Sequence, residues 1–233
     1  DVKFEKKKFV TFGKKNLPQD TKPLDVWLEK YTTGTLSSVE QKSIDNLLNY
    51  LSSRGIGPDW YDFMYSTSKI WDIYQRLLIP FYWRGEIVGF TGRMFEESQG
   101  VKYYTDVWPG YVFNMDAQDW TRKFVIVTEG PFDAIAVSGV SILGSEINDT
   151  QRDLIDGLGR QVIVVPDRDA PGEKLINQAL EFGWSVAFPE WDKTVGDVAE
   201  AVLKYGRLFT IQSILKTTES SKLKIDLKRK MYG

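Results

Sequence analysis

The apolar positions of this chain change rhythm about halfway along it. Ile44, Leu47, Leu48 and Leu51 recur at helical spacing, so they share one face of a helix. Ser37 and Glu40, three apart just upstream, form the pair expected of a capping box, and Arg54-Gly55 supplies the stop. This pattern gives the helix a packing role and no visible chemistry. A shorter helix is predicted over Leu24–Tyr31, after a loop marked by Pro18 and Pro23. The run LLIPFYW, the pair Arg84-Gly85 and the run EIVGFTGR then predict an antiparallel hairpin, followed by the aromatic stretch KYYTDVWPGYVFN. Residues 1–120 therefore read as a mixed α+β lobe.

From Lys123 onward, short apolar runs alternate with helical ones. FVIVTEG, VSILG, QVIVVPD and WSVAFP predict strands, while PFDAIAVSG, NDTQRDLIDGLG, GEKLINQALEFG and VGDVAEAVLKYG predict helices. Leu175, Ile176, Ala179 and Leu180 fall on one side of the third of these helices. The alternation predicts an α/β unit over residues 121–206, a small parallel sheet flanked by helices. Residues 207–233 read as a helical, basic tail. Ligands of such sheets lie at the carboxyl ends of the strands.

Composition then narrows the chemistry. The 233 residues include no Cys and no His, which excludes disulfides, thiolate or imidazole metal sites, and Ser-His-Asp or Cys-His nucleophilic machinery. Any resident metal must be a hard cation held by oxygen. No stretch approaches the ~20 apolar residues of a membrane span, and the first residues lack the apolar run of a secretory signal. The expectation is a soluble cytoplasmic protein with no membrane partner. Charge is unevenly placed: residues 1–16 and 216–233 each carry +4, leaving −10 between them in a chain whose total is −2. Basic ends suit a polyanion or merely solvate the termini, whereas an acidic middle concentrates divalent cations.

Two of the apolar strand runs end directly in acid: Glu129 in VTEG, and Asp167 with Asp169 in VPDRDAPG. In a parallel sheet these carboxylates project from one edge, where like charges repel unless a cation joins them. Magnesium suits such a set because it keeps some waters and accepts phosphate oxygens. Either aspartate taken alone reads equally well as a cap for the helix beginning near Gly172.

VTEGPFDAIA and VPDRDAPG together resemble the two signature motifs of the Toprim domain, shared by DnaG-type primases, type IA and II topoisomerases and certain nucleases. The preceding segment narrows the likeness. Arg76, Ile79-Pro80-Phe81, Gly89-Phe90-Thr91-Gly92-Arg93 and Lys102-Tyr103 resemble the segment before Toprim in DnaG-type primases, and above all in phage primases, over roughly residues 17–215. The resemblance implies a Toprim fold and synthesis of short RNA primers on a single-stranded DNA template from NTPs, with Mg²⁺ (Mn²⁺ substituting) on Glu129, Asp167 and Asp169. It implies a replicative helicase as partner, and the host bacterial cytoplasm as location if the chain is phage-encoded.

By the same likeness Arg76, Arg84, Arg93 and Lys102 hold template or nucleotide phosphates, Arg by its planar fork. Asp133 corresponds to an acidic position that supports the metal, and also suits a helix amino terminus. Asp192 and Asp197 stand where primases carry a closer acidic pair, which makes Asp197, like Asp133, a further candidate at the metal; Asp197 also reads as the start of the helix bearing Val198, Ala201, Val202 and Tyr205. Tyr103, Tyr104, Trp108 and Tyr111 suit either base stacking or the core. Related primases carry an amino-terminal zinc ribbon, so a chain beginning with Asp leads us to expect that one was removed upstream. Two other readings of the same acids are a Toprim nuclease and a replication-protein binding module without catalysis.

Overall fold

A computed structural model describes residues 10–67, 74–96, 100–168 and 170–232. The first lobe is an antiparallel sheet of β1 (Thr21–Pro23), β2 (Met64–Ser66), β3 (Arg76–Trp83), β4 (Glu86–Met94) and β5 (Tyr103–Asp106), in that spatial order. Its central hairpin turns at Arg84 and Gly85, both at positive φ (52° and 78°), as a two-residue connection matched to strand twist requires. Strand alternation divides β3 between two faces: Leu77, Ile79 and Phe81 enter the main core, while Leu78 meets Phe90 on the other side.

Two helices cover the main face: α1 (Leu24–Thr32) and α2 (Ser38–Ser53). The predicted capping box is present at Ser37 and Glu40, and Ile44, Leu47 and Leu51 are buried as the spacing requires. Helix α2 ends at Gly55, whose φ is +66° and whose missing side chain would lie 2.7 Å from Leu203 Cα in the second lobe. A Gly55→Ala variant is expected to lose about 2–5 kcal/mol, from left-handed backbone strain plus overpacking. Gly85→Ala supplies the control, since Gly85 has positive φ but open space. Urea midpoints that fall equally in both variants would remove the contact from the account.

The second lobe runs β6 (Phe124–Thr128), α3 (Pro131–Val137), β7 (Val140–Ser141), α4 (Asp149–Asp156), β8 (Gln161–Val164), α5 (Ala170–Phe182), β9 (Ser185–Ala187), α6 (Val198–Tyr205), α7 (Arg207–Thr217), β10 (Thr218–Glu219) and α8 (Lys222–Tyr232). Its sheet order is β10-β9-β8-β6-β7; the first four strands of the chain order pair in parallel and β10 joins β9 antiparallel. Val125, Val127, Val162 and Val164 face Ile155, Leu175, Ala179 and Ile225, whereas Ile126 and Ile163 face Ala136, Val202 and Ile214. Helices therefore cover both sheet faces. No helix among the described residues is long and apolar enough to cross a membrane.

Two boundaries differ from expectation. Strand β7, at the sheet edge, covers only Val140–Ser141 of the predicted VSILG run; the Ile142 amide still donates to Thr128 of β6, and the Leu143 amide turns back to the Ser141 hydroxyl. Residues 207–232 are integral to the second lobe: Thr210 and Ile214 are fully buried, β10 extends the sheet and Ile225 enters its core. Their lysine content had hidden single apolar anchors. Phe132 from α3 packs in the core of the first lobe with Phe63 and Tyr50, so the lobes share a seam.

Candidate active site

Parallel register sets Val127 beside Val164, so β6 and β8 reach the same edge of the sheet. Beyond it, the Asp167 amide donates to Glu129 Oε1 at 3.3 Å. The Asp167 backbone thus meets the Glu129 carboxylate there, while Asp169 lies outside the described residues. Glu129's backbone is held in place by Ser141, whose hydroxyl donates to its carbonyl at 2.6 Å. Across the loop, a side chain on Gly172 would run into the Asp167 carbonyl, so glycine lets α5 start tight against the strand end.

Arg168, between the two aspartates of the motif, was not singled out from the sequence. Its Nη1 donates to the carbonyls of Trp191 (3.2 Å) and Asp192 (3.0 Å), and its Nη2 to that of Pro189 at 2.9 Å. Its amide donates to Gly196 at 3.0 Å. These bonds tie the β8 loop to the loop that starts α6, and so fix where Asp167 stands relative to Asp197.

Asp133 and Asp197 converge on the amino terminus of α6. Asp197 is the N-cap, accepting from the Glu200 amide at 2.7 Å, and Asp133 Oδ1 accepts from the Ala199 amide at 2.9 Å. Asp133 is buried, and its pKa is raised to about 7, chiefly by burial and then by the Asp197 charge, against the Ala199 amide and Arg54. A side chain on Gly130 would lie 2.8 Å from Asp133 Oδ2, which puts this carboxyl beside the strand end carrying Glu129. Asp197 starts the helix, as its position after the last strand suggested, and its charge acts on Asp133. Asp192 is elsewhere, accepting from the Thr194 amide and hydroxyl and pairing with Lys204 at 3.2 Å; these contacts pull its pKa down to about 2.

Facing this edge from the first lobe are residues of α2, β4 and β5. Arg54 pairs with Asp197 at 3.3 Å; it is the one ion pair between lobes among the described residues. Arg93 lies 5.3 Å from the Tyr50 ring and 4.5 Å from the Tyr103 ring. Its Nε and Nη1 are buried without a hydrogen-bond partner among the described residues, although the side chain as a whole is half-buried; buried donors are usually satisfied. Burial raises the Tyr103 phenol, Arg93 and Arg54 lower it, and Asp133 and Asp197 raise it, so this ring stands between the basic and acidic walls.

The remaining sequence candidates scatter. Arg76 is 1% exposed, and its guanidinium donates to the carbonyls of Gly92 (3.1 Å), Lys102 (3.3 Å) and Val101 (2.6 Å); in this structure it braces β3 to the segment entering β5. Arg84 caps the hairpin over Trp83 at 5.7 Å, at the opposite end of β3 and β4 from Arg93, roughly 25 Å away at the ~3.3 Å rise of a strand. It and Arg93 do not share one phosphate. Lys102 is exposed beside Tyr103. Tyr111 is core, donating to the Tyr82 carbonyl, whereas Tyr103, Tyr104 and Trp108 are 38–41% exposed along the β5 edge. Tyr50 and Arg54 were missed because helical spacing marks them only as the end of a packing helix.

No protein-family model matches this chain, and no curated protein matches it in sequence. Solved structures do match. The Mycobacterium tuberculosis primase DnaG RNA polymerase domain superposes with a TM-score of 0.65 at 16% identity, covering 84% of each chain. The Aquifex aeolicus primase, solved with its zinc-binding and RNA polymerase domains, gives 0.61 at 22% identity over 83% of this chain. This chain spans 60% of the length of that Aquifex structure. A DnaG primase catalytic domain solved bound to single-stranded DNA gives 0.53 at 18% identity, covering 84% of this chain and 75% of that one. The chain has the fold of DnaG primase catalytic cores.

Proposed function

We propose that this chain is the catalytic core of a DNA primase, which extends a short RNA primer on single-stranded DNA. The observation that carries the reading is the meeting of Glu129 with Asp167 at the shared carboxyl edge of β6 and β8. Their donor chemistry fits a hard cation: both offer carboxylate oxygen, in a chain without Cys or His. No three carboxylates converge among the described residues; Asp169, the remaining acid of the motif, is the third ligand of this reading. Magnesium bound by these residues would supply charge neutralisation at the phosphates of an incoming NTP.

The chain's own groups do the rest. Arg93, with partnerless donors between two rings, binds phosphate oxygens bidentately. Tyr103, exposed beside Arg93, offers its ring to a template base, with Lys102 next to it; Tyr104 points to the other sheet face, where it stacks on Phe90. Glu129, at the strand end, takes the proton of the primer 3′-hydroxyl as its oxygen bonds the α-phosphorus and pyrophosphate leaves. Arg54, paired with Asp197, holds the two walls in register, and Arg168 ties together the loops of the acidic wall. The fold likeness to a primase domain solved with single-stranded DNA supports the template class. A replicative helicase remains the partner expected of such a core.

The test incubates the protein with single-stranded DNA, labelled NTPs and Mg²⁺ or Mn²⁺. RNase-sensitive oligomers support priming; shortened end-labelled DNA would assign the same acids to a nuclease, and neither product would leave a binding module. Arg93→Ala is expected to lower kcat/KM for NTP by about tenfold or more, the worth of a charge-assisted hydrogen bond. Arg93→Lys is expected to restore little, since a point charge lacks the fork. Full activity in Arg93→Lys would assign Arg93 to simple charge balance.

A further inference from the structure

Trp120 is the most exposed large apolar side chain among the described residues, at 86%. It stands in the connection just before β6, at the amino-terminal edge of the sheet. That is the edge opposite Glu129, and Lys123 lies six residues before Glu129, roughly 20 Å along a strand rising ~3.3 Å per residue. Trp120 borders an open concavity of about 560 Å³ shared with Arg122, Lys123 and Arg160. None of these three cations enters an ion pair among the described residues, whereas the nearby Asp156 is paired with Arg152 at 3.7 Å and accepts from Trp184 Nε1 at 2.7 Å.

The other neighbouring carboxylate, Asp119, accepts from the Thr121 amide at 2.8 Å and hydroxyl at 2.7 Å, with Arg122 and Arg160 further lowering its pKa. Two of the cations are held in place by single bonds that leave most of their donors available: Arg122 Nη1 to the Ser138 carbonyl at 3.1 Å, and Arg160 Nη1 to the Asp119 carbonyl at 2.7 Å. A solvated indole beside pre-positioned cations is an unusual surface on a body whose middle carries −10. Exposed aromatic faces next to Arg and Lys stack bases and neutralise phosphates, with little regard to sequence.

We infer that Trp120, Arg122, Lys123 and Arg160 form a second contact for single-stranded nucleic acid, away from the candidate active site, on which a base stacks against the indole and the flanking phosphates meet the cations. The inference rests on the proposed reading for the presence of such a strand. A strand held at the Glu129 edge reaches this surface only by running the ~20 Å from one edge of the sheet to the other, which a longer strand does more readily.

The experiment measures binding of labelled oligothymidylates of about 5 and about 30 nucleotides by fluorescence anisotropy, for the wild-type chain, Trp120→Ala and Arg160→Gln. Both substitutions are at the surface, and circular dichroism checks the fold. Trp120→Ala is expected to weaken the long oligomer by about fivefold or more, the lower range of a base–aromatic stack, and Arg160→Gln to flatten its salt dependence. The short oligomer is expected to bind all three chains alike. Unchanged binding of the long oligomer overturns this inference and leaves the primase reading standing, as would an effect equal for both lengths. If neither oligomer binds the wild-type chain, the primase reading fails and this contact fails with it.

Discussion

Asp167→Ala is expected to reduce primer synthesis by at least about a hundredfold, more than the loss typical of a group supporting a metal ligand, while the chain stays folded. The reason for the second half lies in the backbone. Asp167's anchoring bond to Glu129 is made by its amide, and its carbonyl sits under Gly172; alanine keeps both. Removing one of two neighbouring carboxylates also relieves repulsion, so the melting temperature should stay level or rise in chelator. Added Mg²⁺ should stabilise the wild-type chain and have less effect on the variant, because a ligand bound only by the native state adds stability by mass action. Unfolding of the variant would make Asp167 a structural aspartate. Retained synthesis in a folded variant would move the metal elsewhere.

The contrast between Asp167 and Arg76 shows what a sequence carries. Strand ends are legible, since apolar runs such as FVIV and QVIVV stop at acids and parallel register then fixes which acids share an edge. The capping box at Ser37 was legible for the same local reason. Arg76 could not be read so. Its guanidinium is consumed by carbonyls of residues 92, 101 and 102, contacts that depend on how β5 returns beside β4. Arg84 and Arg93 look alike in sequence, yet the hairpin sends them to opposite ends of one sheet. Conversely, Tyr50 and Arg54 read as the end of a packing helix, and only the closeness of Gly55 to Leu203 brings them to Asp197.

Asp133→Asn should separate stability from function. The Asp133 carboxyl titrates near pH 7 in the folded chain, against about 3.9 for an aspartate in an unfolded one. A raised folded-state pKa means the native chain binds the proton more tightly, so the stability this provides is complete below about pH 4 and is lost as pH rises to about 7. Asparagine stays neutral throughout and can still accept from the Ala199 amide. Relative to the wild-type chain, the variant is therefore expected to gain stability steadily from about pH 4 to 7 and to level off above that. The gain should be on the order of a few kcal/mol, measured by urea unfolding in chelator. Activity should move the opposite way. A carboxylate that costs stability at neutral pH, beside Glu129 and facing Asp197, is the signature of a group kept for its charge. A variant that is both less stable at pH 8 and fully active would assign Asp133 to capping α6 alone.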